Sequence, residues 1–134
     1  MFRVTYPLRF AHCDPAGIAY YPRYFELCDA AIEDWSAQVL GCDRRTMHLE
    51  LGIGLPTVDL HAVFTAPSRL GDSLDIDVTV IRVGNSSVDL ALDISCNDEP
   101  RFTVTYTQVL TDLAQGQSMP WPPTLLERLN KECR

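Results

Sequence analysis

His12-Cys13-Asp14-Pro15-Ala16-Gly17-Ile18-Ala19-Tyr20-Tyr21-Pro22-Arg23-Tyr24-Phe25-Glu26 sets a carboxylate, two prolines and a glycine directly ahead of a helical pattern. From Pro22 to about Leu40 the apolar residues Tyr24, Leu27, Cys28, Ala31, Ile32, Trp35, Val39 and Leu40 recur at three- and four-residue spacing. Arg23, Glu26, Glu33 and Asp34 mostly take the other side. That period predicts an amphipathic helix. Pro22 suits its first turn, where a missing N–H has no partner to lose, and Gly41 suits its end. Roughly 18 helical residues span about 27 Å, enough to run the length of a small sheet.

Working outward, residues 2 to 11 alternate, with Phe2, Val4, Tyr6, Leu8 and Phe10 on one face, which predicts a half-buried strand. Pro7 cannot donate to a ladder, so that strand needs an open side or a bulge. Past the helix, Asp43 is a candidate N-cap for a short helical piece through Met47 and Leu51, closed by Gly52. Four extended runs follow, at 57–66, 73–83, 86–97 and 101–112. Val88, Leu90, Leu92, Ile94 and Cys96 alternate most cleanly. Gly84-Asn85 and Asn97-Asp98-Glu99-Pro100 supply turn residues, so the last three runs form an antiparallel meander. Its apolar face needs a cover, and the long helix is the only large candidate. The tail carries a rigid Pro120-Trp121-Pro122-Pro123 spacer and a short amphipathic segment with Leu125, Leu126 and Leu129. The whole, residues 1–134, reads as one α+β domain.

The balance of 11 Lys and Arg against 18 Asp and Glu, a formal charge of −7, argues against nucleic acid or an anionic membrane as partner. Ten of the eleven basic residues are Arg, a side chain that suits local recognition of phosphate or carboxylate. No apolar run is long enough to span a bilayer, and the N-terminus alternates instead of showing a basic segment before an apolar block. A cytosolic location is the expectation. Cys13, Cys28, Cys42, Cys96 and Cys133 are odd in number and scattered, with no C-x-x-C pair, so reduced thiols and no metal site are expected.

On local chemistry alone Asp14 has two readings. An Asp before Pro just past a strand is commonly a cap or turn former. The other reading is a carboxylate aimed at an electrophile, which needs N–H donors for a developing oxyanion. The start of the long helix at Tyr21-Pro22 offers such donors, because the first N–H groups of a helix have no internal partner and lie at its positive end.

His12-Cys13-Asp14-Pro15-Ala16-Gly17-Ile18, then Tyr21-Pro22 and Tyr24, resembles the active-site segment of the 4-hydroxybenzoyl-CoA thioesterase family. The similarity continues through Gly52-Ile53-Gly54, Pro56-Thr57-Val58, Phe64 and Gly71-Asp72-Ser73-Leu74. It implies a hotdog fold, an antiparallel five-stranded sheet wrapped around one long helix. It further implies hydrolysis of an aromatic or short-chain acyl-CoA, with Asp14 as nucleophile or general base and the Tyr21 backbone N–H and Gly17 completing the catalytic segment. No cofactor is implied, coenzyme A being part of the substrate. A homodimer or homotetramer with the site at the subunit interface is expected, Asp14 coming from one copy and a wall near residues 54 to 66 from another.

For substrate contacts the same likeness points to His12, Tyr20, Asp29, Gly54, His61, Arg82, Ser86 and Ser87. In that family the turn after the second long strand can carry basic residues for the CoA phosphates. Here it reads Ile81-Arg82-Val83-Gly84-Asn85-Ser86-Ser87, with Arg82 as its one cation, so Arg69 and Arg101 are further phosphate candidates. Cys13 has nothing basic placed to make it a thiolate. Two other readings stand beside hydrolysis. One is a hydroxyacyl-thioester dehydratase using His12 with Asp14. The other is a thioester-binding module in which Asp14 only caps its turn.

Overall fold

The computed structural model describes residues 1–133. Strand β1 (Phe2–Pro7) leads through a 3-10 turn (Phe10–His12) to helix α1 (Tyr21–Gln38); a wide helical turn (Thr46–Glu50) and strand β2 (Ile53–Gly54) follow. Then come β3 (Thr57–Phe64), β4 (Ser73–Val83), β5 (Ser87–Cys96), β6 (Glu99–Val109), β7 (Thr111–Asp112), β8 (Gln117–Ser118) and α2 (Pro123–Glu132). The five long strands form one sheet in the order β1-β4-β5-β6-β3, every pair antiparallel.

Period-2 alternation turns one face of this sheet inward. Leu74, Ile76, Val78 and Val80 of β4, Val88, Leu90, Leu92 and Ile94 of β5, and Phe102, Val104 and Tyr106 of β6 are buried against Tyr24, Cys28, Ala31, Ile32 and Trp35 of α1. Each aliphatic side chain so enclosed contributes about 1.5–3 kcal/mol. The helix covers the middle of the sheet, meets β3 at Phe64 and leaves most of that strand open, with Leu60 40% and Phe64 45% exposed. The β5–β6 hairpin closes through Asn97 and Asp98, both at positive φ (49° and 65°), the backbone of a two-residue turn that matches strand twist.

Two elements depart from the expectations of the chain. The first strand ends at Pro7 rather than Ala11, because Leu8 leaves the ladder to donate to Asp72 O (2.7 Å) and accept from Gly71 N (2.9 Å). Phe10, expected on the buried face, is 81% exposed as a result. The last extended run breaks at Leu110, whose N–H donates to Ser86 O (2.7 Å). The chain then turns so that β7 pairs with β2 and β8 in a small three-stranded sheet. The tail segment is a helix that buries Leu125 and Leu129 and leaves Leu126 exposed. Asp43 caps the 46–50 turn, its Oδ1 accepting from Thr46 N–H at 2.7 Å.

At the C-terminal end of α1 the fully buried Ser36 hydroxyl donates to Cys42 O at 2.5 Å, tying the helix to the chain that leaves it. Ser36→Ala strands that carbonyl and is expected to cost about 1–3 kcal/mol, read as a lowered denaturation midpoint with an unchanged m-value.

Candidate functional site

The segment between β1 and α1 doubles back on itself. Cys13 bridges Ala19, Asp14 N–H donates to Ile18 O (3.0 Å), and Gly17 N–H donates to Asp14 O (3.0 Å). Gly17 sits at φ +75°, a backbone region that side chains disfavour and that this turn requires. Asp14 Oδ1 accepts from Ala16 N–H (2.9 Å), so one carboxylate oxygen shapes the turn. The half-buried carboxylate lines a crevice of about 340 Å³ with Phe10, Cys13, Pro15, Gly17 and Leu70.

A second segment holds this loop from the far side. Ala19 N–H donates to Ser68 O (2.8 Å) and Leu70 N–H to Gly17 O (2.9 Å). Beneath it Arg101 Nη1 donates to Pro67 O (3.1 Å), Ser68 Oγ (3.0 Å) and Asp72 Oδ2 (2.7 Å), and its Nε lies 2.8 Å from Glu99 Oε1. The Arg69 N–H, then Arg101, hold the Asp72 carboxyl below the usual carboxylate range. Arg101 is thus spent on the scaffold and is not available as a phosphate ligand. The Arg69 side chain lies on an exposed residue.

Helix α1 begins immediately after the loop. Tyr20 is extended (φ −76°, ψ 116°) and supplies no side-chain cap, and Pro22 has no N–H. Among the described residues no acceptor is assigned to the Tyr21 N–H, which lies at the positive end of an 18-residue helix. The Tyr21 ring meets Tyr20 at 5.9 Å and Phe64 at 6.2 Å, and Phe64 also meets Tyr24 (5.9 Å) and Phe25 (6.4 Å). Tyr21, Tyr24 and Phe64 line a second crevice with Ala19 and residues 65–67. Asp14 and the helix start therefore stand at the two ends of one short loop, each lining a crevice of its own.

His12 is tied to the backbone on both sides of the loop. Its Nδ1 accepts from Arg9 N–H (2.9 Å) and its carbonyl from Tyr20 N–H (2.9 Å); among the described residues no hydrogen bond joins it to Asp14.

Asp29 and Gly54 meet in a third cleft, of about 420 Å³, with Glu33, Arg44, His48, Thr57 and Gln108. Partial burial raises the Asp29 carboxyl pKa, opposed by Arg44, and burial lowers that of the Arg44 guanidinium. Gly54 is floor: a Cβ there would lie 3.0 Å from Leu113 Cδ2 and 3.4 Å from His48 Cε1. His61 pairs with Thr105 and lies on the outer face of the sheet, opposite the helix. Arg82, Ser86 and Ser87 belong to the β4–β5 turn. There Arg82 Nη1 lies 3.9 Å from Asp89 Oδ2, and the carbonyls of Ser86 and Ser87 accept from Leu110 N–H and Trp121 Nε1 (3.1 Å). β4 starts beside the Asp14 loop and ends at this turn, a run of about 33 Å at ~3.3 Å per residue. One copy of the chain keeps the two groups apart.

Residue reading missed Gln108 and Arg44. Gln108 had a signal, since it occupies the inward register of a strand that otherwise reads Phe102, Val104, Tyr106, Leu110. Arg44 had only the Asp43 cap beside it, which marks the turn but not the cleft that the fold forms there. Among the described residues no group of His, Cys, Asp or Glu is placed to hold a metal, and no helix is long and apolar enough to cross a membrane.

Known proteins agree with this architecture. The chain is 26% identical over 123 residues to a 1,4-dihydroxy-2-naphthoyl-CoA hydrolase of Synechococcus elongatus, covering 91% of this chain and 90% of that one. It is 32% identical over 74 residues to a 4-hydroxybenzoyl-CoA thioesterase of a Pseudomonas species, covering 54% and 52%. A thioesterase-superfamily structure from Jannaschia sp. CCS1 superposes with a TM-score of 0.92 at 24% identity, over 99% of this chain and 93% of that chain. Residues 8–129 match the thioesterase-like superfamily, and the chain belongs to that family of hotdog-fold proteins.

Proposed function

We propose that the protein hydrolyses acyl-CoA thioesters, with Asp14 as nucleophile or general base and the Tyr21 N–H stabilising the oxyanion. One observation carries this reading: the loop that presents the Asp14 carboxylate runs straight into a long helix for whose first N–H neither a side-chain cap nor an acceptor is assigned among the described residues. Either Asp14 takes a proton from a water that attacks the thioester carbonyl, or its carboxylate attacks directly. Negative charge gathers on the carbonyl oxygen, the C–S bond breaks, and the CoA thiolate leaves and takes up a proton that water supplies. In the second case water also cleaves the acyl–Asp14 anhydride to release the acid. The thiolate leaves readily, so no metal or cofactor is called for. The named relatives act on aryl thioesters, and the rings of Tyr21, Tyr24, Phe25 and Phe64 suit an aromatic acyl group. A non-catalytic reading draws on the Ala16 N–H to Asp14 Oδ1 bond. Thiol release over a panel of aromatic and short-chain acyl-CoAs separates the two, and no turnover of any member would reject hydrolysis.

The site in this reading belongs to a dimer or higher assembly, with Asp14 from one copy and the wall at residues 54–66 from the other. Two features support that. Arg82, Ser86 and Ser87 lie too far from Asp14 within one copy, and β3 is an unpaired edge with Leu60 and Phe64 exposed. Thr65 N–H donates to Arg101 O of β6, so by antiparallel alternation the N–H groups of residues 60, 62 and 64 point off the sheet. Ala62→Pro removes one of those donors and leaves the β6 ladder intact. It is expected to raise the dimer dissociation constant at least tenfold, roughly 1.4 kcal/mol, measured by light scattering over a dilution series. A dimer of unchanged stability would remove β3 from the interface.

A further inference from the structure

We infer that Arg101 is a positioning residue for this site: its guanidinium braces residues 67–72, the segment against which both the Asp14 loop and the wall of the Tyr21 crevice are set. The inference rests on the reading of Asp14 and Tyr21 above and names what holds the two in place.

From Arg9 to Arg23 no residue is fully buried, and Cys13 and Ala19 pack only partly against the core. Core packing therefore holds this stretch weakly, and its place is set by backbone bonds. Apart from the helix it opens, the bonds assigned between the loop and the rest of the chain are Ala19 N–H to Ser68 O (2.8 Å) and Leu70 N–H to Gly17 O (2.9 Å). They flank a bridge between Ile18 and Arg69. The same segment serves the other half of the site. Ala66 and Pro67 line the crevice of Tyr21, while Leu70 lines that of Asp14. Carboxylate and helix start are thus both referred to residues 66–70.

That segment has no apolar anchor of its own. Between Thr65 and Ser73 the one fully buried residue is Ser68, and its hydroxyl accepts from Arg101 Nη1 at 3.0 Å. The same nitrogen donates to Pro67 O (3.1 Å) and Asp72 Oδ2 (2.7 Å), so one cation ties the two ends of the segment together. The Arg101 and Asp72 side chains are 12% and 26% exposed, which shields the pair from the solvent that weakens surface ion pairs. Arg101 is also placed for this task. Ile94 pairs with Phe102 and Ser95 with Pro100, so Arg101 is the extra residue of a bulge in β6, a device that re-aims a side chain. The sheet, through that bulge, fixes where the loop lies.

Arg101→Met removes the donors and keeps a long unbranched side chain. On the acyl-CoA panel it is expected to lower kcat about 10- to 100-fold with KM little changed, because the brace orients Asp14 and does not touch substrate. Amide hydrogen exchange at Ala19 and Leu70 should quicken by about tenfold or more, with the Val88–Ile94 stretch of β5 unchanged. Arg101→Lys, the milder variant, returns a cation with three donors on one nitrogen and should recover part of both. Ser36→Ala, destabilised at the far end of α1, should keep its kcat and so separates positioning from stability. Unchanged kcat or unchanged exchange in Arg101→Met, no recovery in Arg101→Lys, or an equal loss of kcat in Ser36→Ala would overturn the inference. Quickened exchange in Arg101→Met beside a wild type that turns over no thioester would instead reject hydrolysis and leave the brace standing.

Discussion

Asp14→Asn is expected to lower kcat by about 10²- to 10⁴-fold, the usual contribution of a positioned acid-base or nucleophilic group. The substitution is chosen because it separates the two roles the carboxylate can have. Asparagine keeps an Oδ1 acceptor at the same reach, so the bond from Ala16 N–H (2.9 Å) survives and with it the turn that Gly17 closes. Charge and basicity are what it removes. The denaturation midpoint should therefore match wild type while turnover collapses. Asp14→Ala deletes the Ala16 partner as well, and should lose about 0.5–2 kcal/mol of stability in addition to activity. Full turnover in Asp14→Asn would assign the side chain to the turn alone.

Most of the architecture was legible because it follows from two periods. The three- and four-residue spacing from Tyr24 to Trp35 and the alternation from Val88 to Cys96 are also the buried sets observed. Local signals failed where a long-range contact decided the backbone. Nothing between Leu8 and Phe10 announces that Leu8 will pair with Asp72 and Gly71, and nothing near Leu110 announces the carbonyl of Ser86 that bends β6 away. The candidate site divides the same way. Asp14, Gly17 and Tyr21 are neighbours in the chain, so their proximity is visible in the residues themselves. Asp29 and Gly54 meet only because the fold brings α1 and β2 to one cleft, and a likeness to known proteins had to stand in for that contact. Gln108 was visible as a polar residue in an apolar register, but its meaning depends on a cleft that the fold creates.

The oxyanion donor is a backbone group, which ordinary side-chain replacement leaves in place, yet this chain permits its removal. Proline has no N–H and is well tolerated in the first helical turn, the position that Tyr21 holds. It also demands an extended residue before it, and Tyr20 already has φ −76° and ψ 116°. Tyr21→Pro therefore deletes the donor at little cost in folding, since no acceptor is assigned to that N–H among the described residues. The ring is lost too, with its contacts to Tyr20 and Phe64, so Tyr21→Ala is the reference: it removes the same ring and keeps the N–H. Loss of one oxyanion donor elsewhere costs about 2.7–4 kcal/mol of barrier. On that scale Tyr21→Pro should fall about 10²- to 10³-fold below Tyr21→Ala in kcat, with similar KM and similar stability, because the donor acts on charge that appears only as the reaction proceeds. Equal turnover in the two variants would place the oxyanion somewhere other than the start of α1, and would leave Asp14 as a carboxylate in need of a different partner.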